Sequence, residues 1–221
     1  MDKLNGITIE RAIRTNSDKQ NNFIEKFTQA VKNLHRTHVQ NEKIPDIKQV
    51  SISYAKQLNS SFCSNEDKIK IIKIFENIPD TQNFIHGNCH TGNAIISGDK
   101  IQFIDLMFCA KGHPVFDILC MYSHYVFLPS FNSDEAYILH LGLDKTGAEN
   151  LYNFFIRTYY NEKTDDEIEN IKEYFKLYKD IVKNPNNIKV VSDITFLTGL
   201  NPKIKQITVA EFMEYINKYG L

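Results

Sequence analysis

The stretch "NFIHGNCHTGNAIISGDKIQFIDL", residues 83–106, breaks the helical rhythm of the chain. On both sides of it, apolar residues recur at three- and four-residue spacing. Inside it, short apolar runs are separated by glycine and asparagine. "NFIHG" reads as a short strand, and "NAIIS" and "IQFID" read as two strands joined by the turn sequence "GDK". A strand, a loop and a hairpin must therefore be accommodated among helices. That restricts the chain to an α+β fold, mostly α-helical, with a small β-hairpin at its centre.

The helical side of the pattern is strong. Residues 17–38 read as one amphipathic helix, with Ser17 placed to cap it and Phe23, Phe27, Ala30, Val31 and Leu34 on one face. Residues 46–63 and 66–78 read as two more helices. In the second, Ile69, Ile72 and Ile78 share the expected core face, and Pro79 ends it. "GHPVFDILCMYSHYVF" reads as a helix beginning near Pro114, where proline suits the first turn. From 134 onward the chain reads helical, most clearly in "GAENLYNFFIRTYY" and "TDDEIENIKEYFKLYKDIVKN". Thr164 with Glu167 and Thr208 with Glu211 stand at capping-box spacing. With no repeat and no linker, residues 1–221 are expected to form a single domain.

Charge excludes several partner classes. The 26 basic and 27 acidic residues leave a net charge of −1, which offers neither nucleic acid nor an anionic membrane a basic surface. No apolar run approaches the ~20 residues of a membrane helix, and the N-terminus lacks a signal-like apolar stretch, so a cytoplasmic protein is expected. The four cysteines, Cys63, Cys89, Cys109 and Cys120, form no CxxC pair and are expected to be reduced thiols.

A hairpin brings its outer ends together, so Asn93 is expected opposite Asp105. An amide oxygen and a carboxylate converging there suit a hard divalent cation such as magnesium. Phosphoryl transfer uses such a geometry, with a loop residue orienting the attacking hydroxyl while Asn and Asp hold metal on the phosphates. Two other readings compete. A zinc site from His86, Cys89, His90, Cys109 and His113 has the ligand types but not the spacing of a finger or ribbon. The acidic group Asp165, Asp166, Glu167 and Glu169 would suit a cationic substrate, but acidic residues also simply stabilise a first helical turn.

"HGNCHTGN" resembles the HGDxHPGN catalytic loop of the aminoglycoside phosphotransferase and choline kinase group, which has a protein-kinase-like fold. "FIDLMFCAKGHPVFDIL" resembles the segment that follows it in that family, and the helix ending in "NLHRTHV" resembles the helix before it. The resemblance implies a C-terminal kinase-like lobe acting as an ATP-dependent small-molecule O-phosphotransferase, with Asn93 and Asp105 as magnesium ligands. It puts Asn88 where the family has its catalytic aspartate, with His86 and His90 bracing the loop and Asp117 fixing it from the following helix. Magnesium and ATP are the implied cofactors, and a small molecule bearing a hydroxyl is the implied substrate. The opening "MDKLNGITIERAI" resembles the family's interlobe hinge, so the N-terminal β-rich lobe is expected to be missing.

Three functions follow as expectations. The first is a degenerate phosphotransferase with little activity alone, because an amide at 88 cannot take a proton. The second is an active enzyme completed by a separate nucleotide-binding lobe. The third is a non-catalytic scaffold that binds a second copy or another chain at the exposed hinge face.

Overall fold

The computed structural model describes residues 5–57, 64–127, 129 and 142–181, with side chains in the last stretch described through 173. Strand β1 (Ile7–Thr8) leads directly into helix α1 (Ile9–Thr15), which is capped by the Thr8 hydroxyl accepting from the Arg11 amide at 3.2 Å. Helices α2 (Gln20–Arg36), α3 (Ile47–Gln57) and α4 (Asn65–Asn77) follow. Then come β2 (Asn83–Ile85), a one-turn 3-10 helix (Thr91–Asn93), β3 (Ala94–Ser97), β4 (Lys100–Phe103) and β5 (Ala110–Gly112). Helix α5 (Val115–Tyr122) runs into a π-turn at Ser123–Phe127, and α6 (Lys145–Tyr159) and α7 (Asp165–Ile181) complete the described elements. Helix thus dominates around small antiparallel sheets, the mostly helical α+β fold of a kinase-like domain.

The expected hairpin forms. Ala94 pairs with Phe103 and Ser97 with Lys100, leaving Gly98 and Asp99 as a two-residue turn. Gly98 has φ +61°, the positive value that the first central position of such tight turns requires. Two pairings go beyond the sequence reading. β1 adds to the hairpin, with Ile7 opposite Ile96, and β2 pairs antiparallel with β5, with Phe84 opposite Lys111. The result is two small sheets, ordered β1-β3-β4 and β2-β5.

The main core lies between α2, α6 and the hairpin. α2 turns Ile24, Phe27, Thr28, Val31 and His35 inward, whereas Phe23, Ala30 and Leu34 sit at the margin, half-buried. Phe27 meets Phe155 of α6 with ring centroids 6.1 Å apart and Phe103 of β4 at 6.2 Å. Burying an aromatic or branched aliphatic side chain of this kind is worth about 1.5–3 kcal/mol.

Several expectations are corrected at the element ends. Ser17 does not cap α2. It opens a 3-10 turn (Ser17–Lys19), and α2 starts at Gln20 after Lys19, which makes no side-chain cap hydrogen bond. In α4 the buried face is Ile71 and Phe75, continued by Ile78, while Ile69 is 54 % exposed. Ile72 is half-buried and packs against that core, so of the three isoleucines expected on the core face only Ile69 turns to solvent. The capping box holds, since the Glu167 amide donates to the Thr164 hydroxyl at 3.3 Å and the Thr164 amide to Glu167 Oε2 at 2.8 Å. The helix expected over 208–218, with Thr208 and Glu211, lies outside the described residues.

Candidate active site

The loop between β2 and β3 is held from below by one buried carboxylate. Asp117, in the first turn of α5, accepts from the His86 amide at 2.8 Å, the Gly87 amide at 2.9 Å and His35 Nε2 at 2.8 Å. His35 Nδ1 in turn lies 2.8 Å from the Tyr159 hydroxyl. Burial alone pushes the Asp117 carboxyl up, but the His35 hydrogen bond and charge, with His86 behind them, hold it below its ordinary value. It is therefore an anion that the loop amides need. Gly87 has φ +80°, and a Cβ there would lie 2.0 Å from the Phe108 carbonyl oxygen. Only glycine lets the chain pass so close to the segment after β4.

His86 ties the loop to the end of the hairpin. Its Nε2 donates to the Ile104 carbonyl at 3.0 Å, and its Nδ1 accepts from the Asn88 amide at 3.3 Å. Both nitrogens are thereby engaged, and the ring packs edge-on against Phe103 with centroids 5.4 Å apart. Burial pushes its pKa below the ordinary histidine value, so the ring is neutral. His90 Nδ1 accepts from the Gly92 amide at 3.1 Å, and its ring stacks on His124 at 4.4 Å between centroids.

Asn88, Asn93 and Asp105 come together above this base. The ladder sets Asn93 opposite Ile104 rather than Asp105, since the Ile104 amide donates to the Asn93 carbonyl at 2.9 Å. Asp105 follows in left-handed backbone (φ 57°), the only non-glycine with positive φ among the described residues. That rare conformation, typical of functional positions, turns its exposed carboxylate back toward the loop. Asn88 Nδ2 donates to Asp105 Oδ2 at 3.3 Å, and Asn93 Nδ2 donates to the Asn88 carbonyl at 3.0 Å. The Cys120 thiol reaches Asn88 Oδ1 at 4.0 Å.

The residues present fit a divalent cation. With its Nδ2 committed to the Asn88 carbonyl, Asn93 has its amide oxygen left for a metal, and Asn88 links it to Asp105, whose carboxylate accepts from the Asn88 side chain. One amide oxygen and one carboxylate match magnesium, which keeps waters and substrate phosphates as its remaining ligands. Zinc does not fit, because the described residues hold no group of three or more His, Cys, Asp or Glu placed to bind a metal. Cys89, Cys109 and Cys120 are free and buried. Burial pushes the Cys109 thiol up to about 12 and the other two also upward, so none supplies a thiolate. The acidic run at 165–169 is engaged locally: Asp165 and Glu169 pair with Arg157, and Glu167 closes the cap.

Four participants carried no role in the sequence reading. His35 continues the α2 stripe Phe27–Val31 at four-residue spacing, and a histidine in register with a core face is the signal that marks it. Thr91, His124 and Tyr125 carried none, because their contacts depend on the π-turn after α5.

A mostly helical fold around small antiparallel sheets, with the loop after β2 tied to a buried carboxylate, is consistent with a phosphotransferase-like domain. Residues 1–150 match the APH model, the phosphotransferase enzyme family, and the chain belongs to that family. A search of curated proteins found no match. Among the described residues, no helix is long and apolar enough to cross a membrane.

Proposed function

We propose that the protein is a degenerate, ATP-dependent small-molecule O-phosphotransferase that keeps its cation site and has lost its proton acceptor. The observation behind this reading is the orientation of Asn88. Its Nδ2 donates to Asp105, because a carboxylate can only accept, and its Oδ1 faces the Cys120 thiol. The side chain thus offers a donor, not a base, toward the cation pocket.

The neighbours do not replace it. His86 has both nitrogens engaged, Asp117 is buried under three donors, and burial keeps the Cys120 thiol protonated. General-base help is worth about 10²–10⁴ in rate, so a hydroxyl acceptor here is attacked slowly. Phosphoryl transfer still draws on positioning and charge neutralisation, which the remaining residues serve. Asn93 and Asp105 would hold magnesium, which when bound neutralises charge on the nucleotide phosphates. Asn88 orients Asp105 through its amide, and Asp117 fixes the loop that carries both asparagines.

A coupled ATP-consumption assay with aminoglycosides, choline and sugars as acceptors tests the reading. Little or no magnesium-dependent turnover is expected from the purified chain. Robust turnover with any hydroxyl acceptor overturns it.

A further inference from the structure

Thr91 and Tyr125 form a buried hydrogen-bonded pair beside the loop. The Thr91 amide donates to the Tyr125 hydroxyl at 3.1 Å, and the two hydroxyls lie 2.6 Å apart. Each residue is 1 % exposed. A proline at 91, as in the HGDxHPGN pattern, has neither the N–H nor the hydroxyl and forms neither bond. The tyrosine anchor therefore depends on the threonine that this chain carries.

Tyr125 reaches the loop from just beyond the end of α5, which does not continue as an α-helix. The helix passes into the π-turn at Ser123–Phe127, and such turns re-aim side chains, frequently at functional sites. In a regular helix, adjacent residues point in different directions. Here His124 stacks on His90, with rings 4.4 Å apart and 17° from parallel, while Tyr125 bonds Thr91. Two consecutive residues of the turn thus grip two consecutive residues of the loop.

The grip acts two residues from a cation ligand. Thr91 opens the 3-10 turn that ends at Asn93. Within that turn the Asn93 amide donates to the His90 carbonyl at 3.0 Å, and Asn93 Nδ2 to the Asn88 carbonyl at 3.0 Å. A three-residue turn bonded at both ends has little freedom, so fixing Thr91 fixes where Asn93 Oδ1 points. We infer that Tyr125 is a positioning residue for the divalent-cation pocket of Asn93 and Asp105. It holds the loop from the far end of α5, as Asp117 holds it from the near end. The inference rests on the cation site proposed above.

Manganese(II) titrated into the full chain and followed by the electron paramagnetic resonance of the free ion is the direct test, with urea midpoints measured in parallel. Tyr125→Phe is expected to weaken Mn²⁺ binding about tenfold or more, the usual cost of removing a partner that orients a metal ligand. Thr91→Ser keeps both the amide and the hydroxyl, and is expected to bind as the unaltered chain does. Thr91→Val keeps only the amide and is expected to weaken binding. If Tyr125→Phe lowers the urea midpoint but leaves Mn²⁺ affinity unchanged, while Asp105→Ala abolishes binding, Tyr125 is only structural and this inference fails alone. If the folded unaltered chain binds no Mn²⁺, the cation site and the inference fall together. Should Tyr125→Phe not fold, equal affinities of Thr91→Val and Thr91→Ser overturn the proposal.

Discussion

Asn88 differs from an aspartate by one group, yet that group decides which partner Asp105 has. The amide gives Asp105 a hydrogen bond at 3.3 Å. A carboxylate there would set two anions at that separation, and one of them would hold a proton until a cation arrived. Asn88→Asp is therefore expected to destabilise the metal-free chain, with magnesium restoring stability. In the acceptor panel it is expected to raise magnesium-dependent ATP consumption by about 10²–10⁴-fold, the contribution of a general base. Unchanged consumption would show that the amide is not what limits the site. Asp117 poses a question of stability instead. Asp117→Ala strands His35 Nε2 and the His86 and Gly87 amides without their buried acceptor. A loss of about 3–5 kcal/mol in urea unfolding is expected, because three buried donors lose the one charged acceptor they share. Asp117→Asn retains an acceptor oxygen and is expected to cost less. A loss for Asp117→Ala within the ~0.5 kcal/mol of a surface substitution would mean that other contacts hold the loop.

The elements show where local pattern suffices and where it fails. "NAIIS", "GDK" and "IQFID" carry strand and turn signals within thirteen residues, so the hairpin was legible. Thr164 and Glu167 announced the cap of α7 equally locally. β5 was not legible, because three residues, Ala110–Gly112, have no periodicity; they become a strand only by pairing with β2, some 27 positions earlier (Ile85↔Ala110 and Asn83↔Gly112 are its ends). The same holds for β1, two residues long, and for His35, whose partner Asp117 is 82 positions away. In α4 the isoleucines were too many for one stripe. "KIKIIKIF" offers several three- and four-residue series, and only packing selects Ile71 and Phe75. That selection is testable. Ile71→Ala is expected to cost about 2–5 kcal/mol, as truncation of a buried isoleucine does. Ile69→Ala, at a position 54 % exposed, is expected to stay within ~0.5 kcal/mol. Equal losses by chemical denaturation would contradict the packing of α4.

For the molecule as a whole, the buried titratable groups around the loop give stability a direction in pH. Burial pushes His86 below the ordinary histidine value, and His113 is lowered too, first by burial and then by the charge of His35. In the unfolded chain both return to about 6.5. Below that pH the unfolded state binds protons that the folded state refuses, so stability falls as pH falls, by at most about 1.4 kcal/mol per pH unit for each group. Above it both states are neutral there, and this contribution is fully present. Asp117 is held below its ordinary carboxyl value, chiefly by His35 against the pull of burial. Its contribution persists to lower pH and is lost as pH falls through its folded value. Urea midpoints are thus expected to be level near pH 7.5, to decline from about pH 6.5 downward, and to fall again in the carboxylate range. His86→Gln separates the two steps. Its amide can still donate to Ile104 and accept from Asn88, but it does not titrate. The upper step is expected to shrink to the part due to His113, with the lower step retained. A full upper step in His86→Gln would mean that His86 is not the neutral, buried ring that joins the loop to the hairpin.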